Sequence, residues 1–181
     1  MQARLKALVD RQDISDALIR FARGMDRFDR DLFLSAFHED AVIDAGPYVG
    51  GAAGLYDWAS GLHEAGQFAT QHNLLNQTVD LDGDSAHVET YYLFAGRNRD
   101  ESVWVAGGRY INRFDKRDDQ WRIAMHCNAI EWSSVLQGAG NPFAGLPDLL
   151  VNGEARRDAQ DLSYRRPLTN LRAEQTPPAQ S

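Results

Sequence analysis

Apolar residues recur at Leu5, Leu8, Val9, Ile14, Leu18, Ile19 and Phe21, close to the 3.6-residue period of a helix with one buried face. The spacing predicts a helix over 5–24, with Gly24 as a plausible stop. Residues 29–37 repeat the pattern over a shorter stretch, with Asp29 placed to cap it. Residues 40–44 read as a short strand, the Gly/Pro-rich stretch around Pro47 as loop, and 52–65 as a third helix. From Thr70 onward the period changes to two. Residues 70–81, 86–97, 103–114 and 120–132 are rich in Val, Ile, Thr, Tyr and Trp, the composition of a pleated, half-buried surface.

Short polar connections at 82–84, 99–101 and 116–120 join these runs, which makes them hairpins and the sheet antiparallel. One sheet with its helices segregated to the N-terminal part is an α+β architecture. Residues 1–135 then form one domain. Residues 136–181 differ: a Gly/Pro loop, a polar segment anchored by Leu162 and Tyr164, and a polar end over 173–181 that reads as disordered.

Composition narrows the function. With 181 residues, 43% apolar and 25% charged, the chain is long enough for a real core and ordinary for a soluble globular domain. A net charge of −7 argues against a nucleic-acid partner, because phosphate binding needs a basic surface. No run of ~18 apolar residues suggests a membrane span, and the first residues lack the apolar stretch of a secretory signal. Cys127 is the single cysteine, so no internal disulfide can form and the cytoplasm is the simplest location. The five histidines show no metal-ligand spacing, and no glycine-rich phosphate loop is present, so neither metal nor other cofactor is expected.

Two residues carry the candidate chemistry. Asp26 closes the first helix and His72 opens the first long strand. A carboxylate that orients and charge-stabilises an imidazole makes a general base without a cofactor. Each has a plainer reading: Asp26 as a turn residue, with Asp29 its competitor, and His72 as a polar strand residue bonded to backbone.

Met25-Asp26-Arg27-Phe28-Asp29 at the end of the first helix, and Thr70-Gln71-His72-Asn73 on the first long strand, stand in the order helix, short helix, strand, helix, four strands. In this the chain resembles the SnoaL-like branch of the nuclear transport factor 2-like superfamily, over roughly residues 5 to 135. Within that branch it resembles scytalone dehydratase, hexachlorocyclohexane dehydrochlorinase and bile acid 7α-dehydratase. The resemblance implies a cone-shaped curved sheet wrapped around the N-terminal helices and enclosing a deep pocket. It pairs Asp26 with His72 and implies a cofactor-independent lyase. Such an enzyme takes a proton from an apolar cyclic or aromatic molecule and expels water, halide or another small group, C–C cleavage with loss of formaldehyde included. A ketosteroid-isomerase-like isomerase, a polyketide cyclase and a non-catalytic small-molecule binder are the alternatives on the same scaffold. The chain departs from these relatives in lacking a lysine before Asp26, and in offering only Tyr48 where scytalone dehydratase uses two tyrosines to hold a water.

Strand alternation selects further substrate-contacting candidates. Asn76 shares the face of His72, and His126, Asn128 and Trp132 share a face of the last strand. Trp104 and Tyr92 add aromatic walls, and Tyr48 joins them from the loop. Arg109 is either an anion site or half of a surface ion pair, and His126 either a second pocket imidazole or a satisfied sheet residue. Gly107-Gly108 should bend the third long strand or make room for a ligand. Large residues on both faces, such as Tyr91 and Tyr92, predict a homo-oligomer, a trimer or dimer. The segment around Leu162–Tyr164 is expected to pack on a neighbouring subunit or over the pocket mouth, or else to be a solvated tail.

Overall fold

The first helix, α1 (Gln2–Asp26), buries Asp10, Ile14, Ala17, Leu18, Phe21 and Met25 along one stripe. Its apolar side is wider than the core: Leu5, Leu8, Val9 and Ile19, which the period assigns to the buried face, are exposed. Asp10 sits in the stripe because three donors meet it there, Trp121 Nε1 at 2.8 Å, Lys6 Nζ at 2.8 Å and Lys116 Nζ at 3.3 Å. Burial alone would raise the Asp10 carboxyl, but these bonds outweigh it and hold the pKa at about 2. Asp29 caps α2 (Arg30–Leu34) by accepting from the Leu32 amide at 3.0 Å. The two helices touch at Gly24, where a Cβ would lie 2.5 Å from the Phe33 nitrogen. A third helix, α3, spans Ala52–Gly66. The computed structural model describes residues 1–174; most of the polar end expected to be disordered, 175–181, lies outside the described residues.

Four long strands, β3 (Gln67–Asp82), β4 (Ser85–Asn98), β5 (Val103–Arg117) and β6 (Gln120–Leu136), form an antiparallel meander. Two more strands extend it, β1 (Phe37–Asp44) and β2 (Val49–Gly50), giving the order β2-β1-β6-β5-β4-β3. β1 pairs with β6 in parallel, so the sheet is not antiparallel throughout. The helices lie against its inner face, and Phe33, Phe114, Ile14, Leu18, Ile43 and Ile123 between them are essentially fully buried. This is the α+β curved sheet expected.

Five register shifts interrupt the alternation of the sheet, and three of them lie along the strands that carry the residues singled out from the sequence. In β3 the register with β4 shifts between Leu74 and Gln77. In β6 it shifts opposite Gly107/Gly108 and again opposite Arg113/Phe114. An extra residue inverts the alternation beyond it. Gly108 makes one of these bulges feasible, because a Cβ there would stand 2.1 Å from the Ala129 carbonyl oxygen.

The segment after β6 folds back on its own chain. Tyr164 Oη donates to Asp29 at 2.9 Å, and the Arg23 guanidinium lies 4.7 Å from the Tyr164 ring centroid. Arg157 donates to the carbonyls of His63 (2.9 Å) and Gln67 (3.0 Å) and reaches Thr70 Oγ1 at 3.4 Å. It fastens the end of α3 to the start of β3, immediately behind the cavity described next.

The outer face of the sheet carries Tyr91, Trp132 and Leu136, 39%, 50% and 50% exposed. Exposed large apolar side chains of this kind favour association. Light scattering at micromolar concentration should give a dimer or trimer mass, and a monomer mass would refute the expectation.

Candidate active site

Asp26 and His72 meet at the mouth of the sheet. Asp26 Oδ1 accepts from His72 Nδ1–H at 2.7 Å, and Oδ2 accepts from the His72 backbone N–H at 2.8 Å. Both side chains are nearly buried, 13% and 11% exposed. The two-point contact fixes the ring plane and places the proton on Nδ1, leaving Nε2 as the basic atom. Burial would raise the Asp26 carboxyl, but hydrogen bonds from His72 and Thr70, with the imidazole's charge, bring it below the ordinary carboxylate range. Thr70 is itself touched by Arg157, so a cation stands behind the carboxylate.

His72 opens onto a cavity of about 310 Å³ between α1, α3 and the sheet. Phe21 and Met25 come from α1, Leu55, Trp58 and Leu62 from α3, and Tyr92, Phe94, Trp104 and Tyr110 from β4 and β5. Phe94 packs on His72 with ring centroids 4.8 Å apart, and Tyr92 stacks on Tyr110 at 4.2 Å. Burial raises both tyrosine hydroxyls' pKa values, well above 10 for Tyr110, so both remain proton donors at neutral pH. These are two tyrosines facing one cavity, a pair the sequence did not disclose.

Of the residues chosen from alternation, Tyr92, Trp104, His126 and Asn128 line the cavity. His126 is buried, bonded through Nδ1 to Asn112 Oδ1 at 2.8 Å, and its burial lowers its pKa to about 4. Four others lie elsewhere. Asn76 is exposed, because the β3 bulge hands the inward positions to Gln77 and Val79. Trp132 pairs with Gly107 and covers it from the outer face, because the β6 bulge turns it away. Arg109 is on that outer face too, bound to Glu131 at 2.6 Å and Glu89 at 3.0 Å, and is the surface ion pair rather than an anion site. Tyr48 stands behind the wall, stacked on Trp58 at 5.9 Å, with its hydroxyl donating to the Gly51 carbonyl at 2.9 Å.

Alternation also passed over His63. It projects into the cavity from the α3 stripe Leu55, Ala59, Leu62, His63, Gly66. A histidine inside an apolar helical stripe was the available signal. Among the described residues, no three His, Cys, Asp or Glu side chains converge as metal ligands, and no helix is long and apolar enough to cross a membrane.

The curved sheet wrapped on its N-terminal helices defines a class of fold, and sequence comparison agrees. The SnoaL-like domain profile matches residues 6–125. The chain belongs to the SnoaL-like family. Solved structures with this fold include a type 2 hexachlorocyclohexane dehydrochlorinase (TM-score 0.71, 20% identity, 79% of this chain and 99% of that one). Two from Novosphingobium aromaticivorans are similar as well. A candidate scytalone dehydratase gives TM-score 0.63 and 17% identity over 75% of this chain and 96% of that one. A candidate aromatic ring hydroxylase gives 0.64 and 27% over 71% and 94%. No curated protein matches the sequence.

Proposed function

We propose that this protein is a cofactor-independent lyase acting on an apolar cyclic or aromatic small molecule. The observation that carries the reading is the two-point hold of Asp26 on His72, with Nε2 left bare toward an aromatic cavity. His72 Nε2 takes a proton from an activated carbon. The electron pair left behind forms the new double bond as water, halide or another small group departs. The imidazolium is stabilised by Asp26, ionised and reinforced by Thr70. A base so positioned contributes ~10²–10⁴-fold, and the aromatic walls supply orientation and exclude water. Tyr92 and Tyr110 line the same cavity and offer hydroxyl donors to a leaving oxygen or halide. C–C cleavage with loss of formaldehyde would use the same base. The free Cys127 is consistent with a reducing compartment such as the cytoplasm.

The reading is tested by incubating the protein with candidate alicyclic and aromatic alcohols and halides in deuterium oxide. Elimination should yield an unsaturated product. An isomerase or cyclase would instead give a product of unchanged or cyclised composition. Tight binding of the same compounds with no product at all would sink the enzyme reading in favour of a binding protein.

A further inference from the structure

Besides His126, the cavity holds another imidazole that the dyad does not use. His63 stands 5.9 Å from His72, ring centroid to ring centroid, nearly edge-on at 79°. It stacks on Phe94 at 5.5 Å and 27°. Its Nδ1 lies 2.7 Å from Gln67 Oε1. That contact is the inner end of a polar chain. Gln67 Nε2 donates to Asn98 Oδ1 at 3.3 Å, Asn98 Nδ2 donates to Ser102 Oγ at 2.9 Å, and the Ser102 hydroxyl donates to Asp100 Oδ1 at 2.6 Å.

The chain has a direction. Hydrogen bonds from Ser102 lower the pKa of Asp100, so at neutral pH it is an ionised carboxylate and can only accept. Ser102 therefore gives its proton outward and must accept from Asn98. The amide oxygen of Asn98 then faces Gln67, the amide oxygen of Gln67 faces His63, and the proton of His63 is drawn to Nδ1. Nε2 is left as a lone-pair acceptor, with no hydrogen-bond partner among the described residues. Burial lowers the pKa of His63 to about 4, so the ring stays neutral and the acceptor persists at pH 7.

We propose that His63 Nε2 accepts a hydrogen bond from a substrate hydroxyl, which makes hydroxylated aromatic or alicyclic molecules, rather than wholly apolar ones, the ligand class of this cavity. The proposal rests on the cavity being the substrate pocket and adds what recognises the substrate there. An unprotonated Nε2 cannot protonate a leaving group. The hydroxyl it holds is therefore a handle that sets the carbon against His72, and His63 is a binding residue.

The experiment uses a matched pair of probes, 2-naphthol and 2-methylnaphthalene, titrated calorimetrically into the wild type and His63→Phe. The phenyl ring keeps the stacking on Phe94 and removes the acceptor. The wild type should prefer 2-naphthol on the order of tenfold, the effect of one satisfied hydrogen bond in a dry site. His63→Phe should lose that preference while binding 2-methylnaphthalene as before. Nitrogen-15 NMR of wild-type protein gives a second readout that needs no variant. His63 Nε2 should resonate as an unprotonated nitrogen and shift on addition of 2-naphthol but not of 2-methylnaphthalene. A preference that survives in His63→Phe, or a protonated Nε2 in the unbound protein, overturns the proposal. Both readouts proceed without turnover, so failure of the lyase reading would leave them intact. Binding of neither probe would count against the aromatic pocket itself, whereas binding of both without preference counts against His63 alone.

Discussion

His72→Ala is expected to abolish turnover while leaving the fold in place. The imidazole contributes little core volume and its ring lies at a cavity wall, so the unfolding free energy should move by about 1 kcal/mol. The rate should fall by ~10²–10⁴-fold, the contribution of a positioned general base. Asp26→Asn should be slower than wild type for a different reason. Asp26 offers two oxygens to two donors, the ring Nδ1–H and the backbone N–H of the same residue. Asparagine has one oxygen. Either its NH₂ confronts the backbone N–H, or it confronts the ring and draws the proton to Nε2, the wrong tautomer for a base. Single-turnover kinetics on any identified substrate read both effects. A wild-type rate in His72→Ala would mean the proton is removed elsewhere, with His126 the next candidate.

Gly24→Ala is expected to destabilise the protein by about 1–3 kcal/mol, as overpacking does, even though alanine is the better helix former by roughly 1 kcal/mol. The new Cβ would stand 2.5 Å from the nitrogen, 2.6 Å from Cα and 2.7 Å from Cβ of Phe33. Two of these are backbone atoms, so no rotamer change relieves the clash and α2 must shift. That shift strains the Asp29 cap and moves the end of α1, two residues before Asp26. Urea unfolding should show a lower midpoint with an unchanged slope, and activity should fall with it. An unaltered midpoint would show that the two helices separate without cost.

Much of the fold was legible because its signals are local. The change of period from 3.6 to two near Thr70 marks where helices give way to the long strands. Asp29 was readable as a cap from its place before an apolar run. What escaped depends on contacts between distant segments. The parallel joining of β1 to β6 has no local signature. Nothing in Leu74-Leu75-Asn76-Gln77 announces a bulge, yet that bulge moves Asn76 outward and Gln77 inward. The glycine pair at 107–108 did announce a distortion, but not that its effect would fall on β6 and turn Trp132 to the outer face. Asp26 and His72 were placed together by the likeness of their surroundings to a known family. His63 lies on α3, where strand alternation says nothing, and only its place in an apolar helical stripe marked it.

The carboxylate that holds His72 has a second consequence. β3 ends one side of the sheet, and among the described residues no strand pairs with its outer edge. Such a border is an open template for another chain to add itself strand to strand. Here side chains occupy it at intervals: Arg157 on the Gln67 carbonyl, Asp26 on the His72 amide, Arg11 on the Val79 carbonyl at 3.3 Å. Asp26 also serves as a stopper against edge-to-edge growth. Protection from fibre-like stacking and the fixed orientation of the imidazole thus come from one arrangement.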